Sequence, residues 1–141
     1  MAVRTYIDSG VLISALRGDN ATSDMALAFL YDPLREYVTS DYVRIELLPK
    51  AVYHKRDEEQ LFYAEFFRSI TTHVSSSDDL LALALDEGAK TGISGIDAIH
   101  VACALVAGAQ ELITAEKTTK PIHRATGVRV ISIHPSVVSQ R

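Results

Sequence analysis

Apolar positions along the chain fall into short β-type runs that alternate with stretches of helical spacing. Val3–Ile7 is a β-rich run that stops at Asp8; Ser9 and Gly10 follow, then Val11, Leu12, Ile13, Ala15 and Leu16. That order predicts a strand, a tight turn and a short helix. Gly18, Asp19 and Asn20 break the pattern, and helical spacing resumes over 26–31, flanked by Met25 and closed before Pro33. Tyr37, Val38 and Thr39 predict a second strand. Ser40 or Asp41 can cap the next helix, which carries Val43, Ile45, Leu47 and Leu48 until Pro49 interrupts or kinks it. Leu61, Phe62, Phe66 and Ile70 give helical spacing over 57–70, and His73 with Val74 predicts a brief third strand. Ser77 or Asp78 caps a helix through Leu81, Ala84 and Leu85 that stops near Gly88 or Gly92. The strongest helical pattern covers 94–106, with Ile96, Ile99, Val101, Ala102, Leu105 and Val106 ahead of Gly108. Leu112, Ile113 and Thr114 predict a fourth strand, 121–125 a short helix and 128–133 a fifth strand, leaving a polar tail from Pro135.

Strands alternating with helices predict an α/β fold: a parallel sheet covered by helices on both faces. The chain has 141 residues, a common size for one domain, and no repeat, low-complexity tract or linker divides it. The expected organisation is one domain over 1–134 and a short tail over 135–141.

Composition narrows the class. Apolar residues make up 48% and charged residues 23%, which argues against disordered and fibrous classes. A single cysteine, Cys103, excludes an internal disulfide and suits a reducing, cytoplasmic setting. No apolar run approaches the length of a membrane span, and the first residues lack the apolar core of a signal peptide, so no membrane association is expected. The net charge of −4 is unlike that of a protein gripping nucleic acid mainly through its own cations. A nucleic-acid role would need a bound cation or a local basic patch.

In parallel sheets, ligands bind beyond the carboxyl ends of the strands. Asp8 ends the first predicted strand, Glu46 lies on the helix after the second, Asp97 lies in the first turn of the strongest helix, and Glu116 follows the fourth strand by two residues. Four carboxylates can thus converge on one end of one sheet. Such a cluster repels itself without a cation, and Mg²⁺ and Mn²⁺ prefer oxygen ligands. A cation there would activate a water for attack on a phosphodiester.

At these same residues the chain resembles the PIN-domain family, in particular the VapC-type toxin ribonucleases of toxin–antitoxin pairs. The resemblance is carried by Tyr6-Ile7-Asp8-Ser9-Gly10-Val11-Leu12-Ile13, by Thr39-Ser40 through Glu46-Leu47-Leu48, by Ser94-Gly95-Ile96-Asp97-Ala98-Ile99-His100-Val101-Ala102, and by Leu112-Ile113-Thr114-Ala115-Glu116-Lys117 with a closing strand at 128–131. The four stretches occur in the family's order across nearly the whole chain. The resemblance implies a three-layer α/β/α sandwich with a central, mostly parallel sheet of four to five strands. It implies a Mg²⁺- or Mn²⁺-dependent endoribonuclease, with Asp8, Glu46, Asp97 and Glu116 as catalytic and metal-binding residues. It also implies an RNA substrate, a homodimer and an antitoxin partner. One departure is Glu116, where the family usually has Asp; the extra methylene changes the reach of the carboxylate.

Each residue also has a plainer reading. Asp8 and Asp97 can serve helix N-termini, Glu46 can be a solvated helix residue, and Glu116 with Lys117 a loop ion pair. Ser9 and Thr114 can be turn residues or hydroxyl donors to a metal-bound water. His100, on an apolar helix one turn after Asp97, is expected to be a satisfied core residue, and Cys103 a small buried hydrophobe. Arg44, Lys117 and Lys120 are expected to be solvated, although they lie near the proposed cleft. Residues 53–56 read as an exposed helix junction or a contact for RNA or a partner, and Phe62, Tyr63, Phe66 and Phe67 as core or as a partner face. The alternatives to a nuclease are a non-catalytic PIN-like module binding RNA or protein, and a phosphotransfer domain. The second is disfavoured because no further Asp stands two residues after Asp8.

Overall fold

The computed structural model describes residues 2–17 and 20–135. Gly18, Asp19 and the tail from 136 onward lie outside the described residues. Twelve elements alternate along the chain: β1 (Val3–Ile7), α1 (Ser9–Arg17), α2 (Ala21–Leu30), β2 (Arg35–Ser40), α3 (Asp41–Tyr53), α4 (Asp57–Arg68), β3 (Ile70–Val74), α5 (Asp78–Thr91), α6 (Gly95–Val106), β4 (Glu111–Thr114), a 3₁₀ helix (Pro121–Arg124) and β5 (Arg129–Ser132).

The five strands form one sheet in the order β3-β2-β1-β4-β5, and every neighbouring pair is parallel. β1 is central. The chain builds outward from it through β2 and β3, then crosses back to build through β4 and β5. The order therefore reverses between β2 and β4, on either side of β1, and such a reversal opens a crevice at the carboxyl ends of the strands. β4 is buried at every position and β1 at its last three, as befits strands covered on both faces. α1 packs on α2, α3 and α4, while α5 packs on α6 and α6 on the 3₁₀ helix. With right-handed crossovers this places the two groups on opposite faces of the sheet. The core runs through Tyr6, Ile7, Val38, Leu112 and Ile113 of the sheet to Val11, Leu12, Val43, Tyr63, Val101 and Ala102 of the helices.

Local chemistry sets the helix starts. Asn20 accepts from Ser23 N–H at 2.9 Å, Ser40 from Val43 N–H at 3.3 Å and Ser77 from Leu80 N–H at 3.1 Å, each capping the helix that follows. Asn20, expected in a break, thus begins α2 five residues before the apolar spacing resumes. Gly92 ends α5 at φ 78°, a conformation that favours glycine, and turns the chain directly into α6. Two expectations at helix ends shift. α3 continues through Pro49 to Tyr53, with Leu47 and Ala51 buried on either side of it. α4 stops at Arg68, so that Ile70 begins β3 rather than ending the helix. Leu61, expected on the buried stripe of α4, is exposed, and Tyr63 and Phe66 take the core positions. Among the described residues, no single helix is long and apolar enough to cross a membrane.

Candidate metal centre

The reversal of strand order gathers Asp8, Ser9, Gly10, Glu46, Ile96, Asp97, His100, Thr114, Ala115 and Glu116 around one cleft of about 150 Å³. All four carboxylates expected from the sequence are in that lining. The volume is roughly that of five waters.

Asp8 follows β1 directly. Its N–H donates to Ile113 O at 3.0 Å, which continues the β1–β4 ladder by one residue and fixes the carboxylate at the strand end. Oδ1 accepts from Ser9 N–H at 2.7 Å and Oδ2 from Thr114 Oγ1 at 3.0 Å. Gly10 then lets α1 approach β4 closely: a Cβ there would lie 3.1 Å from Ala115 Cβ, so any larger residue would push apart two walls of the cleft. The Ser9 hydroxyl lies 3.4 Å from Asp8 Oδ1 and 3.2 Å from Glu46 Oε1, and its one proton can serve either carboxylate. Ser9 and Thr114 thus place their hydroxyls against carboxylates of the acidic cluster.

Glu46 reaches the cleft from the second turn of α3. Of its neighbours on α3, Leu47 is buried, Leu48 half-buried and Ile45 exposed. Oε1 lies 2.6 Å from His100 Nε2. Burial opposes ionisation of Glu46, but the hydrogen bond and positive character of His100, with a contribution from Ser9, outweigh it and hold its pKa below the usual glutamate value. Asp97 is half-buried in the first turn of α6, where the helix N-terminus favours negative charge. Even so its pKa is raised, first by burial and then by repulsion from Asp8, Glu116 and Glu46. Glu116 lines the cleft from the loop after β4; its N–H donates to Thr114 Oγ1 at 3.2 Å, and its carbonyl accepts from Ser132 Oγ at 2.6 Å.

His100 is what the sequence reading did not assign to the site. It is buried, as expected of a core residue, but both ring nitrogens are committed to polar partners: Nδ1 lies 2.6 Å from Tyr6 Oη and Nε2 faces Glu46. Its Nε2 is also 3.6 Å from Asp8 Oδ1. The available signal was its spacing: i and i+3 share a helix face, so His100 had to look where Asp97 looks. Burial lowers the imidazole's basicity, but Glu46, Asp8 and Asp97 outweigh it and raise the pKa above the ordinary histidine value. Oxygen and nitrogen atoms of Asp8, Glu46 and His100 come within 4.8 Å of one another.

The donor set fits a hard divalent cation: four carboxylates line one small cleft, and among the described residues no Lys or Arg forms an ion pair with any of them. Arg44 turns its guanidinium over the Phe67 ring, 4.9 Å from the centroid, and Lys117 and Lys120 are exposed.

Comparison with known proteins agrees with this architecture. The fold matches a chain of a toxin–antitoxin complex from Klebsiella pneumoniae with a TM-score of 0.68 at 22% identity, over 92% of this chain and 98% of that one. It matches a chain of VapBC2 from Rickettsia felis, bound to a DNA fragment from their promoter, with a TM-score of 0.67 at 12% identity, again over 92% and 98%. A chain of FitAcB from Neisseria gonorrhoeae gives 0.62 at 21% identity, over 92% and 97%. No curated protein matches the chain by sequence. The sequence model of the PIN domain matches residues 5–122, most of the chain and all four acidic positions, so the chain belongs to the PIN-domain family.

Proposed function

We propose that this protein is a Mg²⁺- or Mn²⁺-dependent endoribonuclease and the toxin of a toxin–antitoxin pair, with Asp8, Glu46, Asp97 and Glu116 holding the cation. The observation that carries the reading is the convergence of these four carboxylates on one small cleft, with no Lys or Arg paired to any of them among the described residues. Self-repulsion of this kind costs stability and is kept where a cation resolves it. The family supports a nuclease, and the folds shared with toxin–antitoxin and VapBC chains support an antitoxin partner.

When bound, a divalent cation offsets the phosphate's charge and lowers the pKa of a water for in-line attack. The chain's own residues supply geometry. Thr114 and the Ser9 N–H hold both oxygens of Asp8, so its carboxylate is oriented before any ligand arrives. Ser9 joins Asp8 to Glu46 through one hydroxyl. Glu46, with its lowered pKa, stays ionised at neutral pH. Asp97 and Glu116 close the other side of the cleft. The cation also answers the charge problem of a −4 chain acting on a polyanion, because positive charge is supplied only where the phosphate must sit. Exposed Ile45, Val52, Tyr53 and Leu61 on α3 and α4 offer apolar surface for a protein partner, and the apolar groove between α5 and α6, lined by Leu81, Leu85 and Ile99, for a second copy.

The test is cleavage of labelled single-stranded RNA with Mg²⁺ or Mn²⁺ and then with EDTA, alongside folded Asp8→Asn and Asp97→Asn variants. Metal-dependent cleavage lost in both variants is expected. Absence of cleavage across varied RNAs, with no cation binding by calorimetry, would leave a binding module; cleavage that persists in both variants would move the site elsewhere.

A further inference from the structure

A line of hydrogen bonds leaves the N-terminus of α3, crosses the core and returns to α3 at Glu46. Val43 N–H donates to Ser40 Oγ at 3.3 Å, Ser40 Oγ lies 2.8 Å from Tyr6 Oη, Tyr6 Oη 2.6 Å from His100 Nδ1, and His100 Nε2 2.6 Å from Glu46 Oε1. Ser40, Tyr6 and His100 are each about 1% exposed or less. Buried polar side chains linked this completely, across three separate elements, constrain one another's rotamers. Glu46 itself is half-buried on a helix surface, and apart from His100 its carboxylate is held by the shared Ser9 hydroxyl, at the longer distance of 3.2 Å.

Proton placement along the line follows from elementary chemistry. A carboxylate only accepts, so His100 Nε2 must carry the proton that faces Glu46. Nδ1 is then either an acceptor from the Tyr6 hydroxyl or, in the imidazolium, a donor to it; a phenol can do both. Burial keeps Tyr6 protonated, which suits either case. In both, Nε2 keeps its hydrogen and has no lone pair for a cation.

We infer that His100 is a positioning residue and not a ligand: held by Tyr6 and Ser40, it fixes the Glu46 carboxylate in the rotamer that faces Asp8, and so preorganises the cation site. The inference deepens the metal-nuclease reading above and rests on it for its consequence, while the tether itself is a property of the cation-free chain. Proximity of Nε2 to Asp8 and Glu46 alone would suit a third ligand equally well; the Tyr6–Ser40 line is what favours the tether, because it holds the ring from behind. Outer partners of this kind typically contribute tenfold to a hundredfold to metal affinity.

The experiment has two arms on the full chain. In the first, ¹⁵N NMR of labelled imidazole reads the His100 ring in wild type and in Tyr6→Phe, without cation and with Mg²⁺. Expected is an Nε2 that stays protonated throughout in wild type, and a changed Nδ1 resonance in Tyr6→Phe. A neutral ring protonated on Nδ1, or loss of the Nε2 proton on adding Mg²⁺, would overturn the inference. In the second, calorimetry measures Mn²⁺ binding. His100→Leu should weaken it by roughly tenfold or more, His100→Gln, whose amide can still donate to Glu46, should recover most of the loss, and His100→Leu should cost nothing further in a Glu46→Gln background. An equal loss in that background would mean that His100 acts independently of Glu46 and would refute the tether. Thermal melts confirm that each variant is folded. If wild type binds no Mn²⁺, the metal-nuclease reading fails, and the NMR arm still decides whether His100 is bound as described.

Discussion

The two ends of the sheet treat carboxylates in opposite ways. At the amino end, Glu111 is buried yet answered: Arg35 Nε lies 2.5 Å from its Oε1, and Thr5 Oγ1 donates to the same oxygen at 2.8 Å. Arg35 also pairs with Asp32 and lies over the Phe29 ring, and Arg4 joins Glu36 at 2.6 Å while donating to Ala107 O. At the carboxyl end, four carboxylates share a cleft with, among the described residues, one imidazole and two hydroxyls and no guanidinium or ammonium. The same residue type is thus cement at one end and an unmet demand at the other. Arginines are available in the chain, since Arg44 lies on the same helix as Glu46, but its head stacks on Phe67 instead. Where charge is neutralised internally the role is structural; where it is left open, the carboxylates stay available to a ligand from outside.

That contrast can be broken by experiment. The largest effect expected is on cleavage: Asp8→Asn should lower the rate by at least about a hundredfold, with a melting temperature no lower than wild type, as read by RNA cleavage and by thermal unfolding. Next is Glu111→Gln, which leaves Arg35 with Asp32 as its one charged partner among the described residues; it should cost about 2 kcal/mol by denaturant unfolding and leave the catalytic constants of the folded fraction unchanged. If Glu111→Gln lowered activity more than stability, the division between the two ends would fail. Smaller and of opposite sign, Asp97→Asn in EDTA should stabilise the fold, by on the order of 1 kcal/mol after solvent screening, because it removes the charge that burial and three neighbouring carboxylates disfavour. Adding Mg²⁺ should raise the wild-type melting temperature and close that gap.

The smallest effect is in pH. Glu46 has a lowered pKa in the fold, so its contribution is present above 4.5, its ordinary value, and is lost as pH falls through the folded value. His100 has a raised pKa, so its contribution is present below 6.5 and is lost as pH rises through the folded value. Metal-free protein should therefore show a shallow stability maximum between those two values, and His100→Gln should remove its alkaline side. A flat profile from pH 5 to 9 in wild type would speak against the Glu46–His100 pair.

The fold was legible because short β-type runs such as 37–39 and 112–114 alternate with helices that carry a 3.6-residue stripe, signals that lie within a few residues of each other. What shifted were ends: Ile70 continues a helical spacing into a strand, and Pro49 sits in a helix that buried Leu47 and Ala51 hold together. Asp8, Glu46, Asp97 and Glu116 were legible as candidates because strand ends and helix starts say where a carboxylate faces. His100 and Tyr6 were not, because their roles depend on contacts across 94 residues. The Arg35–Glu111 pair was illegible for the same reason: its partners are 76 residues apart and no local pattern announces them.

The strand order has a further consequence, in time. Asp8 is made before its Thr114 donor, which is 106 residues further along, on a strand that must slide in beside β1. A chain released to fold from its first residue can pair β1 with β2 and β2 with β3 early, and still has no cleft. Asp97 and Glu116 arrive only with α6 and the loop after β4. Until that point the half-made protein carries an acidic strand end and no cleft, so the four carboxylates can meet only after most of the described residues have been made.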